Sequence, residues 1–183
     1  MKPGKTLYVA DRKDWRSWLQ KNHNKEKEIW LIYYRKSSGK PRIPYNDAVE
    51  EALCYGWIDS IVKSVDQEKF AQRFTPRRPG SRVSEMNKER MRRLIKNKLM
   101  TAKGLNAVFF DKNEKFAIAP DILKALKENK QTWKNFQRLP AGYKKVRIGY
   151  LESQRRHSNG MFQKSLQYFL KMTGKDKKFG MVQ

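Results

Sequence analysis

Between residues 48 and 87 the chain reads AVEEALCYGWIDSIVKSVDQEKFAQRFTPRRPGSRVSEMN, a stretch dense in side chains able to do chemistry. Asp59 lies two positions after Trp57, and Arg73, Arg77 and Arg78 follow within six positions of one another. A carboxylate can orient a guanidinium through a charge-assisted, two-pronged bond and leave its other donors free for an anion or an amide. A neighbouring indole supplies the apolar wall that small-molecule sites use. These residues are therefore read as one cleft lined by Trp57, Asp59, Arg73, Thr75, Arg77, Ser84 and Asn87, taking a small anionic or amide-containing ligand. The competing reading is structural, with Asp59 and Arg73 or Arg77 pinning a hairpin to a helix. No residue is assigned a catalytic role; an enzyme reading would rest on Asp59, with Cys54 nearby.

Other chemistries lack their usual parts. The two histidines, His23 and His157, stand in polar surroundings outside any HExxH or Cys/His metal pattern. The sequence contains no GxSxG elbow, no GxGxxG and no GxxxxGK[ST] loop, so hydride transfer, phosphoryl transfer and zinc hydrolysis are not indicated. No metal and no cofactor is expected. Asp47, Glu50 and Glu51 are read as a solvated helix face rather than as metal ligands. The single cysteine, Cys54, excludes an internal disulfide, fits a reducing compartment and is read as a small buried thiol.

The charge points to a different class of partner. Forty-two basic residues against 18 acidic ones give +24 and a pI near 10.2. The excess grows along the chain, from +4 over residues 1–59 to +9 over 60–119 and +11 over 120–183. Such a field recruits polyanions, and the alternative to a ligand-binding protein is a nucleic-acid-binding one. Its contacts would be Lys88, Arg92, Arg93, Lys96, Lys144, Lys145, Arg147, Arg155 and Arg156, with Tyr143, Tyr150 and Tyr168 interleaved to stack on bases. No sequence-reading motif accompanies them, so that binding would be electrostatic and salt-dependent. The plainer reading is solvated surface charge. The N-terminus, MKPGKTLYVADRKDW, has no apolar run like a signal peptide and no stretch could span a bilayer, so the cytoplasm is the expected location. Oligomeric state is not legible.

The elements that must hold these residues are readable from periodicity. Leu7-Tyr8-Val9 is a short strand, and Asp11 caps a helix with Trp15, Trp18 and Leu19 on one face. Residues 29–34, IWLIYY, form a strand whose continuous apolar character predicts burial on both faces. A helix from about Pro44 places Tyr45, Ala48, Val49, Ala52 and Leu53 inward, with Gly56 beyond its end. Two strands, 58–65 and 69–75, flank a turn at Asp66-Gln67-Glu68, with Phe70, Gln72 and Phe74 on one face. Helices follow: a basic one from Ser84 or Glu85 to about Asn97, one over 101–113 with Leu105, Val108 and Phe109 inward, and one opened by Pro120. Trp133, Phe136 and Leu139 continue until Pro140, and a last stripe holds Met161, Phe162, Leu166, Phe169 and Leu170. The expected architecture is α+β: a small, mainly antiparallel sheet with helices over residues 1–118, a helical unit over 119–174, and a flexible basic tail over 175–183.

This order of motifs resembles the bacterial YdeI/OmpD-associated, or bacteriocin-protection, family. The resemblance runs from Trp15-x-x-Trp18-Leu19 and Ile29-Trp30-Leu31 through Tyr45-x-x-Ala48 to Gly56-Trp57-Ile58-Asp59. It continues with Arg73-Phe74-Thr75-Pro76-Arg77, Ser84-x-x-Asn87 and Met100-x-x-x-Gly104. Residues 118–139 and the terminal helix look like that family's helical C-terminal region. The resemblance implies a role in resistance to toxic peptides or envelope stress. Direct capture of a cationic toxin fits poorly with +24, because like charges repel; an indirect route through gene expression or surface charge fits better.

Overall fold

A computed structural model describes residues 3–108 and 116–180 of the chain. They fall into two compact units, Met1–Arg82 with Arg90–Phe109, and Val83–Glu89 with Phe110–Gln183. The architecture is α+β.

The first unit is built on a mixed sheet in the order β1–β2–β4–β3, from β1 (Thr6–Tyr8), β2 (Ile29–Tyr34), β3 (Trp57–Ser64) and β4 (Lys69–Pro76). β1 runs parallel to β2, and the other two pairings are antiparallel. Asp66 makes the β3–β4 turn, its Oδ1 accepting from the backbone N–H groups of Glu68 and Lys69, both at 2.9 Å. Helices α1 (Arg12–Asn22) and α2 (Tyr45–Cys54) cover one face of this sheet. Asp11 caps α1 through the Asp14 N–H, 2.9 Å away. Trp15 is fully buried against Phe74, and its indole N–H donates to the Ala48 carbonyl at 2.9 Å, which fixes α1 to α2. Gly56 takes φ +76, a left-handed turn that ends α2 and starts β3.

Strand β2 is not covered on both faces. Ile29, Leu31 and Tyr33 are buried beneath the helices, whereas Ile32 and Tyr34 are half-exposed on the other side. Trp30, also on that side, is buried because Lys63 lies across it, with Nζ 4.9 Å from a ring centroid. A lysine stem over an aromatic ring lets an apolar run face outward without a second layer.

The acidic face of α2 departs further from expectation. Glu50 and Glu51 are buried, at 6% and 2% exposure, not solvated. Arg12 bonds Glu51 through Nε and Glu50 through Nη1 at 3.2 Å, and Arg16 reaches Glu51 at 2.6 Å. Arg93, on α3 (Glu85–Lys96), bonds Glu50. Periodicity correctly sets these acids on the polar face of α2, but arginines from two other helices lie over that face. Below them, α4 (Ala102–Asn106) meets the end of α2: a Cβ at Gly104 would strike the Cys54 carbonyl, to which the Thr101 hydroxyl donates at 2.6 Å. Leu105, expected inward, is 42% exposed, because α4 presents Gly104 instead. The helix expected to 113 ends at Asn106; Val108 is buried as expected, and Phe109 with the residues to 113 lies outside the described residues.

The second unit contains α5 (Pro120–Lys127), α6 (Lys130–Arg138), α7 (Ala141–His157) and α8 (Asn159–Gly174). Ile122, Leu126, Phe136, Ile148, Leu151, Phe162, Leu166 and Phe169 form its core. Asn135, buried, donates to the Thr173 and Gly174 carbonyls at 2.9 and 3.2 Å, satisfying the C-terminal end of α8. Helix α7 carries no single apolar stripe: Tyr143, Val146, Arg147, Ile148 and Leu151 are buried on several sides of it, so periodicity misses it. Met161, placed in the α8 stripe by spacing, is 48% exposed. Residues 175–180, expected to be a flexible tail, are pinned by Phe179. Its N–H donates to the Tyr143 hydroxyl at 3.0 Å, and Arg147 lies 3.9 Å above its ring.

Glu51→Ala would leave two partly buried guanidinium groups without their carboxylate, and is expected to cost about 2–4 kcal/mol in denaturant unfolding. Asp47→Ala, at the more exposed rim of the same network, should cost under about 1 kcal/mol. Equal losses would show that burial does not set the strength of this network.

Candidate functional site

Asp59 sits on β3 opposite Phe74 of β4, so it points toward the helices. Its Oδ2 accepts from the Tyr45 hydroxyl at 2.9 Å and from the Gln72 side-chain amide at 2.8 Å. Tyr45 is the first residue of α2, where the helix begins directly over the sheet, and Gln72 is buried on β4. The expected bond from Asp59 to an arginine is absent; a phenol and an amide take that place.

Around this carboxylate stand groups whose polar atoms are incompletely used. Tyr33, buried on β2, has a hydroxyl with no hydrogen-bond partner among the described residues, and the same holds for the buried Nε of Arg77. Burial, then the charge of Asp59, pushes the Tyr33 phenol well above its ordinary pKa. Tyr45 is pushed up to about 12 by burial, with the charge and hydrogen bond of Asp59 adding to it. Burial pulls the guanidinium pKa of Arg77 down, partly offset by Asp59. Arg90 is shifted the same way by burial, offset by Tyr45, Glu50 and Asp59; its Nη2 donates to Asn46 at 2.8 Å. Two phenols, an amide and two arginines thus share the field of one carboxylate.

Arg77 leaves the sheet just after Pro76. Its backbone N–H donates to the Gly56 carbonyl at 2.9 Å, anchoring it beside the start of β3. Its Nη2 is spent on the Ser81 hydroxyl at 3.2 Å and the Arg82 carbonyl at 3.1 Å. No carboxylate lies within ion-pair distance of it among the described residues.

Trp57, Arg73 and Thr75, expected in the same cleft, do not join Asp59. Trp57 is 1% exposed, donates its indole N–H to the His23 carbonyl at 3.1 Å and takes Trp18 edge-on, so it is core and not a wall. Arg73 and Thr75 alternate onto the opposite face of β4 from Phe74, and Arg73 bonds Glu28 there, at 2.7 Å through Nε. The Ser84 hydroxyl accepts from the Asn87 N–H at 3.3 Å at the start of α3, and both residues fall in the second unit. Sequence reasoning missed Tyr33, Tyr45 and Arg90 as site residues. Gln72 carried a signal: a polar residue between Phe70 and Phe74 on a buried strand face needs a buried partner.

Of the cations assigned to nucleic acid, Arg93 is paired with Glu50, Lys88 with Glu85, and Arg155 with Asp121 and Glu152. Arg147 is buried against Phe179. Lys144 Nζ donates to the Gln137 carbonyl at 3.1 Å, while Arg156 is exposed. Lys145, Arg92 and Lys96 lie on the helices α7 and α3. Cys54 is buried, and desolvation followed by the charge of Glu51 pushes its thiol up to about 11. Among the described residues no group of three or more His, Cys, Asp or Glu could hold a metal ion, and no helix is long and apolar enough to cross a membrane.

The folded state favours neutral Tyr45, whose ordinary value is 10. That stabilisation is complete below pH 10 and is lost as the pH rises from 10 to about 12. Tyr45→Phe should therefore lose roughly 1–2 kcal/mol less stability than the wild type across that window, after allowance for solvent screening. Parallel pH profiles for the two proteins would contradict the placement of this phenol beside Asp59.

No curated protein and no solved structure matches the chain. Residues 115–159 match the family model described as Bacteriocin-protection, YdeI or OmpD-Associated, so the resemblance holds over that span of the second unit. The motifs between Tyr45 and Asn87 fall instead within residues 7–107, which match the model described as a Domain of unknown function (DUF8412). That second match covers more than half of the sequence, and the chain belongs to the DUF8412 family.

Proposed function

We propose that this is a bacteriocin-protection-type protein that acts by binding, and that its first unit takes a small anionic ligand beside Asp59. The observation that carries the reading is Arg77: a half-buried guanidinium, with a buried Nε lacking a partner and no carboxylate in reach. A charge so placed is costly unless something anionic joins it. The free Tyr33 hydroxyl offers a donor to the same ligand, and Asp59 Oδ1, left over from its bonds to Tyr45 and Gln72, offers an acceptor for an amide or hydroxyl. A ligand carrying both an acidic group and a donor group suits this set.

Binding is preferred to turnover on the state of the nearby groups. The Asp59 carboxylate is engaged by two donors, and the Cys54 thiol, with a value of about 11, is protonated at neutral pH. The link to bacteriocin protection rests on the family match at residues 115–159.

The test is thermal stabilisation of the full chain across a panel of phosphates, small carboxylates and acidic amides. A ligand at a hundred times its Kd should stabilise by about 2.7 kcal/mol. Arg77→Met should abolish the effect of every hit, and Arg78→Met, at an exposed position, should preserve it. Unchanged stabilisation of the Arg77 variant by all hits would remove Arg77 from the site.

A further inference from the structure

The second unit carries a surface that the ligand site does not use. Along α8 and at its C-cap, Lys164, Tyr168, Lys171 and Lys175 recur at intervals of three or four residues, so they share one exposed face. None of these lysines has an ion pair among the described residues, and Asp176 is the only acid from residue 159 to the C-terminus. Tyr168 is 50% exposed yet not loose. Its ring meets Phe179 edge-to-face, with centroids 4.9 Å apart. Phe179 is itself held by Tyr143 and Arg147, which also keeps Lys177 and Lys178 close to the end of α8.

We infer that this face of α8, completed by the docked segment through Phe179, binds single-stranded nucleic acid. Unpaired cations about 10 Å apart, at Lys164 and Lys171, bracket a fixed aromatic ring. That is the combination that follows a phosphate backbone while stacking an unpaired base. Charge complementarity favours a polyanion of some kind, and two features favour this one. Phe162, Leu166 and Phe169 of α8 are spent in the core, and the exposed Met161 stands alone in its first turn, so the helix has no continuous apolar face to insert into a lipid surface. A pre-oriented tyrosine, in turn, gains nothing from a duplex whose bases are already stacked.

The experiment measures binding of the full chain to a fluorescent oligothymidylate over a series of salt concentrations, with phosphatidylglycerol-containing vesicles as the competing polyanion. The Lys164→Gln/Lys171→Gln double variant should bind at least tenfold more weakly, with the slope of log affinity against log salt reduced by about 1.4. Tyr168→Ala should weaken binding roughly tenfold with an unchanged slope, whereas Tyr168→Phe keeps the stacking ring and should bind like the wild type. Thermal melting checks that each variant is folded, and the lysine pair tests the surface even if Tyr168→Ala loosens Phe179. The inference is overturned by no binding at low salt, by wild-type affinity in the lysine variant or in Tyr168→Ala, or by preference for the vesicles.

Discussion

The burial of two adjacent carboxylates, Glu50 and Glu51, is the constraint on which the first unit depends. A charged side chain out of water is tolerated only with close partners, and here Arg12, Arg16 and Arg93 supply them from two other helices. The result holds α2 in one position along its own axis, because a shift of one turn would strand both acids. That position sets Tyr45 over the sheet, and Tyr45 with Gln72 holds the Asp59 carboxylate. The geometry around Asp59 is therefore a consequence of ion pairing on the far side of the same helix. Burying the acids stabilises less than an apolar contact would; what it contributes is register.

The fold was largely legible because its signals are local. Asp11, Gly56 and Asp66 mark a cap, a helix end and a turn by short-range chemistry that no distant residue can override. Strand β2 and helix α2 lie where their composition and periodicity place them. Helix α7 was not legible, since burial on several sides erases the amphipathic pattern by which a helix is recognised. The exposure of Glu50, Glu51 and Leu105 was misjudged for a related reason: a single helix cannot tell which neighbours will cover its polar face.

The site was less legible than the fold. Asp59 and the arginines are visible as residue types, yet pairing in three dimensions assigns them different tasks. Strand alternation sends Arg73 to the outer face, where Glu28 neutralises it. Arg77, past the end of the strand, escapes that alternation and comes within the field of Asp59 with no carboxylate at ion-pair distance among the described residues. Tyr33 and Tyr45 read as apolar members of a strand and a helix, and only their hydroxyl groups, which periodicity ignores, make them part of the polar group around Asp59.

The same distinction bears on a charge of +24. A large net charge says little about where a polyanion would bind, because many of the cations are engaged within the molecule. Arg12, Arg16 and Arg93 are consumed by Glu50 and Glu51, Arg73 by Glu28, and Arg155 by Asp121 and Glu152. These are arginines, whose forked, weakly hydrated head suits partly buried pairing. The cations left in water on α8 are lysines, compact and strongly hydrated, which attract a mobile polyanion without being desolvated in advance. A sequence-level charge sum merges the two populations. Where the arginines around Glu50 and Glu51 are paired and the lysines of α8 are left in water, the lysines carry the part of the positive field that remains available to a partner.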